Sequence, residues 1–162
     1  MRLIVVLFSF LTFANISQAQ DLPETTANKA FFVELLGNGL IFSFNMDSRF
    51  TSRPDGLGGR LGIGYVGSPD EGGILTIPAV INYLAGKDGK YFEVGLGATY
   101  ISGDADLLDD DDAFSDIAGT MTFMYRSQPV EGGFMWRIGF TPILAEGVFI
   151  PYWFGFGIGY AF

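Results

Sequence analysis

In the stretch GGFMWRIGFT, residues 132–141, side chains sort by parity: Phe134, Trp136, Ile138 and Phe140 fall on one side, Met135, Arg137, Gly139 and Thr141 on the other. A period of two belongs to a strand, whose successive side chains point to opposite faces. Eight such stretches of about ten residues run through the chain, at 30–36, 40–50, 57–66, 74–84, 90–101, 116–127, 133–143 and 152–162. Between them lie turn-forming segments: Gly37-Asn38-Gly39, Pro54-Asp55-Gly56, 67–73, 86–89, 102–115, 129–132 and 144–151. Glycine and asparagine tolerate positive φ and proline fixes φ, so these are natural places for the chain to reverse. Connections this short predict antiparallel neighbours. Gly155, Gly157 and Gly159 weigh against a helix at the chain end, since each costs about 1 kcal/mol relative to alanine in a helix interior. The pattern predicts an all-β meander.

Which face is apolar decides what kind of barrel this meander closes into. In 90–101, Phe92, Val94, Leu96, Ala98 and Tyr100 oppose Glu93, Gly95, Gly97 and Thr99; in 57–66, Leu57, Leu61, Ile63 and Tyr65 oppose Gly58, Arg60, Gly62 and Gly64. Turning the apolar faces inward would crowd a lumen that eight strands leave only just wide enough for side chains. Turning them outward puts glycine and small polar groups inside and requires lipid as the solvent. Segments near ten residues match a tilted transmembrane strand, and closure leaves no unpaired edge in hydrocarbon. An even strand number puts both termini on one side, so the longer links 67–73, 102–115 and 144–151 fall on the other, together with a tight Asn38-Gly39 turn. The expected fold is an eight-stranded antiparallel up-and-down transmembrane β-barrel.

The remaining composition narrows function. Arg2, the apolar run 3–13 and the small residues around Ala19 have the three parts of a secretory signal peptide, with cleavage expected after Ala19. The expected division is a cleaved signal at 1–19, a short periplasmic lead at 20–28 and the barrel at 29–162. The formal charge of −9 disfavours nucleic acid as a partner. With no cysteine, thiol chemistry and disulfides are excluded. With no histidine, the commonest general acid/base near neutral pH is missing as well, and no enzyme activity and no cofactor are expected.

The segments FFVELLGNG, LGIGY, YFEVGLGATY and GGFMWRIGFTP, with a terminal aromatic, resemble the small eight-stranded outer-membrane β-barrels of Gram-negative bacteria, in particular a large group of functionally uncharacterised exported barrels. The likeness covers residues 29–162. It implies residence in the cell outer membrane, contact with its lipid and lipopolysaccharide, and insertion by the barrel-assembly machinery. In such barrels the last strand resembles a signal for that machinery, and Phe154, Phe156, Ile158, Tyr160 and Phe162 match it.

Two constellations carry possible chemistry. Parity places Glu34, Asp47, Arg49, Arg60, Glu93, Arg126 and Arg137 on the inward face. A structural polar network is the first reading; an ion path or ligand site is the sharper one. The loop SGDADLLDDDDAFSD supplies Asp104, Asp106, Asp109, Asp110, Asp111 and Asp112, whose oxygens suit divalent cations although the spacing does not follow the calcium-hand template. The Gly-x-Gly pairs at 62/64, 95/97 and 157/159 open no helix, so a phosphate cradle is not implied; inward glycines instead leave room for Arg60, Arg126, Arg137, Met124 and Trp153. Tyr65, Tyr83, Tyr100, Tyr125, Tyr152, Trp153 and Tyr160 lie near expected strand ends, as aromatic girdles do. The expected function is a structural or surface-interacting outer-membrane barrel with a plugged lumen. A narrow pore, a small-molecule carrier and a soluble periplasmic lipocalin-like binder are the alternatives.

Overall fold

Alternation and turn chemistry together produce ten strands, seen in a computed structural model that describes residues 26–68, 72–103, 114–145 and 147–162. In chain order these are β1 Lys29–Leu36, β2 Phe42–Arg49, β3 Gly56–Ser68, β4 Gly72–Lys87, β5 Lys90–Gly103, β6 Phe114–Ser127, β7 Gly133–Phe140, β8 Ile143–Ala145, β9 Val148–Ile150 and β10 Phe154–Ala161. Each strand from β1 to β7 pairs antiparallel with its chain neighbour, β10 pairs with both β7 and β1, and the ring is closed. The short β8 and β9 pair with each other and extend the staves begun by β7 and β10. The result is a closed, all-antiparallel barrel of eight staves, the architecture expected from the sequence.

Prolines set the departures from regularity, because proline brings no N–H to a ladder. Pro142 separates β7 from β8, and the wall is carried across this point by the Thr141 amide donating to the Trp153 carbonyl (2.8 Å) and the Met121 amide donating to the Pro142 carbonyl (2.9 Å). Pro142 itself is buried, not on the apolar outer face. The 144–151 segment, expected as a loop, is mostly the β8–β9 hairpin tip. Inside β4, Pro78 interrupts the seam with β3: Leu61 pairs with Ala79 and Gly64 with Thr76, while the two intervening pairs are missing.

β3 to β6 are 13 to 16 residues long, against eight for β1, β2, β7 and β10. The wall is therefore taller on one side than ten-residue segments predict. At the rim carrying the termini, Lys29 and Phe162 exchange backbone hydrogen bonds of 3.1 and 2.9 Å. The preceding residues lie over this rim: Ala27 donates its amide to Val130 (2.7 Å) and Asn28 accepts from the Arg49 amide (2.7 Å). Behind them Ala27, Ala30, Phe32, Met135 and Ala161 form a small buried apolar cluster.

The distribution of polarity is inverted relative to a soluble barrel. Leu96, Ile117 and Leu61 are 66%, 65% and 61% exposed, whereas Glu34, Glu93, Arg126 and Arg137 are fully buried in the lumen. Tyr65, Tyr83, Tyr100, Tyr125, Tyr152 and Tyr160 face outward. Trp153 does not: it is half-buried and directs its indole N–H into the barrel mouth, to the Gly37 carbonyl at 3.1 Å.

Candidate functional site

Strand register sorts the inward side chains into rings in which long polar residues are interspersed with glycine or other small ones. One ring runs Arg126, Arg137, Gly157, Glu34, Ser43 across β6, β7, β10, β1 and β2. Gly157 matters sterically here, since a Cβ at this position would lie 2.9 Å from Arg137 Cγ and 3.3 Å from the Phe32 ring. A second ring runs Arg49, Gly58, Asn82, Gly95, Thr122. Arg126 and Arg137 are direct cross-strand partners, and the bare Gly157 beyond Arg137 leaves the space into which its side chain extends.

The charged groups connect into one chain of alternating sign. Near the β1–β2 turn, Glu34 Oε1 lies 3.5 Å from both Arg60 Nη1 and Arg137 Nη2. Glu93 Oε1 closes a four-membered arrangement with Arg137 Nη1 at 3.1 Å and Arg60 Nη1 at 3.9 Å. Glu93 Oε2 then reaches Arg126 (3.5 Å), Arg126 reaches Asp47 (3.4 Å), and Asp47 holds Arg49 at 2.6 Å. Asn82 ties the lower part together by donating to Asp47 (2.7 Å) and Glu93 (2.9 Å) and accepting from Arg49 (2.6 Å). Gln128 accepts from Arg126 Nε (2.9 Å) and donates to the Ala27 carbonyl (2.9 Å), so the network ends against the lead residues at the terminal rim. The Phe32 ring sits among Arg137, Arg60 and Arg126, whose guanidinium carbons are 5.0, 5.8 and 5.9 Å from its centroid, a cation–π contact with three partners.

The set is not fully satisfied. Arg60 Nε, Arg60 Nη1, Arg137 Nη1 and Arg49 Nε are buried without a hydrogen-bond acceptor, and Glu34 Oε1 accepts none. The ion pairs at these atoms are close enough for Coulombic attraction but are not aligned for hydrogen bonding. The lumen also holds one more cation than anion: Arg49, Arg60, Arg126 and Arg137 against Glu34, Asp47 and Glu93. Guanidinium keeps its proton in proteins, so the four arginines hold their charge.

Opposite the terminal rim the barrel is closed by its own first turn. The turn Gly37–Gly39, expected to be a tight surface turn, is folded into the lumen and is wholly buried. Asn38 donates its amide to Glu34 (3.2 Å) and its side-chain NH₂ to the Met121 carbonyl (3.3 Å). Its backbone carbonyl accepts from Thr99 (2.6 Å), and its side-chain oxygen accepts from Thr122 (3.1 Å) and from Arg60. Thr76 bonds the Gly39 carbonyl at 3.0 Å, and Trp153 covers Gly37. The flanking Leu36 and Leu40 take φ of 58° and 70°, a left-handed conformation that costs a non-glycine residue on the order of 1–3 kcal/mol. The turn needs these two bends to dive inward, so its hydrogen bonds offset backbone strain.

The structure thus brings Glu34, Asp47, Arg49, Arg60, Glu93, Arg126 and Arg137 into one connected lumen. It places Phe154, Phe156, Ile158 and Tyr160 on the outer face of β10 and Phe162 exposed at the terminal rim. Asp104, Asp106, Asp109, Asp110, Asp111 and Asp112 lie outside the described residues. Among the described residues no acidic group clusters in a way that holds a metal ion. Sequence reasoning missed Asn82, Gln128 and Phe32, although Phe32 shares the parity of Glu34 and Gln128 that of Arg126. It also missed Asn38, for which a three-residue turn carries no periodic signal.

No protein-family model matches the sequence, and no curated protein matches it. The fold is similar to the crystal structure of the N-terminal β-barrel domain of Pseudomonas aeruginosa OprF, with a TM-score of 0.58 and 13% identity over 85% of this chain and 99% of that one. At this identity the likeness is one of fold, and the fold it supports is the closed eight-stranded barrel.

Proposed function

We propose that the chain is a non-enzymatic integral outer-membrane β-barrel with a structural or surface-interaction role, its lumen filled by polar side chains and closed by its first turn. The observation that carries this reading is the inverted polarity: a continuous outer wall of leucine, isoleucine, phenylalanine and tyrosine around a lumen of buried guanidinium and carboxylate groups. In water such a wall is far larger than the apolar patches monomeric proteins expose; in hydrocarbon it is the stable arrangement. Export through a cleaved 1–19 signal, assembly through the Phe154–Phe162 pattern and contact with lipopolysaccharide belong to the same proposal. So does weak divalent-cation binding by Asp104 to Asp112.

Fractionation of expressing cells and gel mobility with and without heating test it. The expected result is recovery in the outer-membrane fraction, extraction only by detergent, and a folded band whose mobility changes on boiling. A detergent-free soluble monomer would sink the membrane reading in favour of a periplasmic binder. Steady open-channel current from the unmodified protein in planar bilayers would sink the closed-lumen part and favour a pore.

A further inference from the structure

Every exposed lysine and arginine among the described residues stands at the rim carrying the termini: Lys29 on β1, Arg53 between β2 and β3, and Lys87 and Lys90 at the β4–β5 hairpin. The links at the opposite end, 67–73, 102–115 and 144–151, contain neither residue type. Arg53 is paired with Asp55. Lys87 and Lys90 are placed differently: they flank the turn Asp88-Gly89 as direct cross-strand partners, and both share the outward parity of Ala85 and Phe92. Like charges directly opposite one another destabilise a sheet. Among the described residues neither lysine forms a salt bridge, not even with Asp88 in the turn between them. The same outward row continues through Ser127 on β6, opposite Lys90, to Trp136 on β7, opposite Ser127. Of the two indoles it is Trp153 that finds an acceptor among the described residues. Trp136 is half-buried, its ring 5.3 Å from that of Tyr125. The next outward row into the wall is Ala85, Phe92, Tyr125 and Ile138, apolar but for one phenol.

We infer that Lys87, Lys90, Ser127 and Trp136 form a site for the phosphate of an anionic phospholipid in the leaflet at the terminal rim. Two ammoniums, a hydroxyl and an indole N–H in one row can all donate to phosphate oxygens, and the aromatic wall beside them takes the acyl chain. The lysine stems lie along that wall while their heads reach the phosphate. A choline headgroup carries its own cation beside the phosphate, whereas a glycerol headgroup leaves that charge to the lysines. The site therefore selects phosphatidylglycerol over phosphatidylcholine. This inference rests on the membrane reading above for the presence of lipid at the wall; the order of the donors comes from strand register.

Quenching of tryptophan fluorescence by lipids brominated on their acyl chains, in protein refolded into mixed vesicles, reads which lipid occupies the wall beside Trp136. It is measured in the unmodified chain and in Trp153→Phe, where Trp136 is the single indole. Phosphatidylglycerol should be preferred to phosphatidylcholine by about tenfold or more, and Lys87→Gln and Lys90→Gln should each lower that preference about fivefold, the effect of one basic side chain near an anionic surface. Lys29→Gln removes the same charge from the same rim on a stave three away from that of Lys87, and should leave the preference nearly unchanged. All three lysines are exposed, so the variants should keep the folded, heat-modifiable band. Inorganic phosphate added at constant ionic strength should not displace the lipid. Equal quenching by the two lipids, or equal losses in all three lysine variants, would overturn the site. Displacement by inorganic phosphate would overturn the lipid as its occupant. Insertion into vesicles of phosphatidylcholine alone tests the wall separately: a barrel that inserts there yet shows no preference leaves the membrane reading standing without the site, and a protein that enters no vesicle removes both.

Discussion

Gly157 stands between Arg137 and Glu34 in their ring, and its missing side chain is what lets the two approach to 3.5 Å. A methyl group there meets Arg137 Cγ and the Phe32 ring at once, so Gly157→Ala is expected to destabilise the barrel by about 1–3 kcal/mol, the usual cost of overpacking, measured by urea unfolding in vesicles. Arg126→Leu takes one cation from Asp47 and Glu93, which keep Arg49 and Arg137, and leaves the Gln128 side-chain oxygen without its donor, so the unfolding free energy should fall by about 1–3 kcal/mol, the cost of stranding a buried acceptor. In the turn between β2 and β3 the stakes are smaller. Arg53 donates to Asp55 through Nε (2.8 Å) and Nη2 (2.9 Å), and this holds the Asp55 carboxyl below its ordinary range. A carboxyl lowered on folding adds stability that is present above its unfolded pKa and lost as pH falls through the folded one. Acidification below the usual aspartate range should therefore remove a small, salt-sensitive increment, which Asp55→Asn abolishes. The pair is exposed, which keeps the increment small. An equal acid response in the two proteins would assign it elsewhere.

At the scale of single elements, parity carries the strands and their faces, because a half-buried strand must alternate wherever it lies. It does not carry the places where alternation stops. The Gly37–Gly39 turn reads like any glycine-rich reversal, and its inward course depends on Thr76, Thr99, Thr122 and Trp153 from other strands, contacts without local signature. Likewise Pro142 fits the outward parity of its segment, yet the proline that would have faced out instead breaks the strand. Pro78 is the most consequential such point. It leaves two pairs missing between β3 and β4 in the middle of the wall, and in the membrane proposed above an unpaired backbone group costs several kcal/mol. Pro78→Val restores an amide to this interval at similar volume; the regained hydrogen bond, about 1 kcal/mol net, outweighs the about 0.4–1 kcal/mol that proline saves by restricting the unfolded chain. The variant should unfold at higher urea and slow amide exchange in neighbouring β3, and a lower unfolding midpoint would show that the gap is compensated within the wall.

The molecule as a whole depends on closure, and closure depends on the last strand meeting the first. β10 is flanked by β7 and β1, so the ring that joins Arg137 to Glu34 passes through its Gly157, while its outer face offers Phe154, Phe156, Ile158 and Tyr160. Phe162 contributes differently. Its backbone exchanges two hydrogen bonds with Lys29, and its side chain is 54% exposed at the rim, packed into no core. A residue that stabilised the finished barrel only through those bonds would be replaceable by alanine, which keeps the backbone, with little loss. If the side chain is instead read during assembly, Phe162→Ala and deletion of Phe162 should both leave export intact and lower the amount of heat-modifiable protein in the outer membrane several-fold, while protein refolded from urea into vesicles unfolds at a nearly unchanged midpoint for Phe162→Ala. The two measurements separate assembly from stability: normal membrane levels of Phe162→Ala would remove the signal role, and a large loss of stability in the refolded protein would move the residue's contribution into the folded barrel.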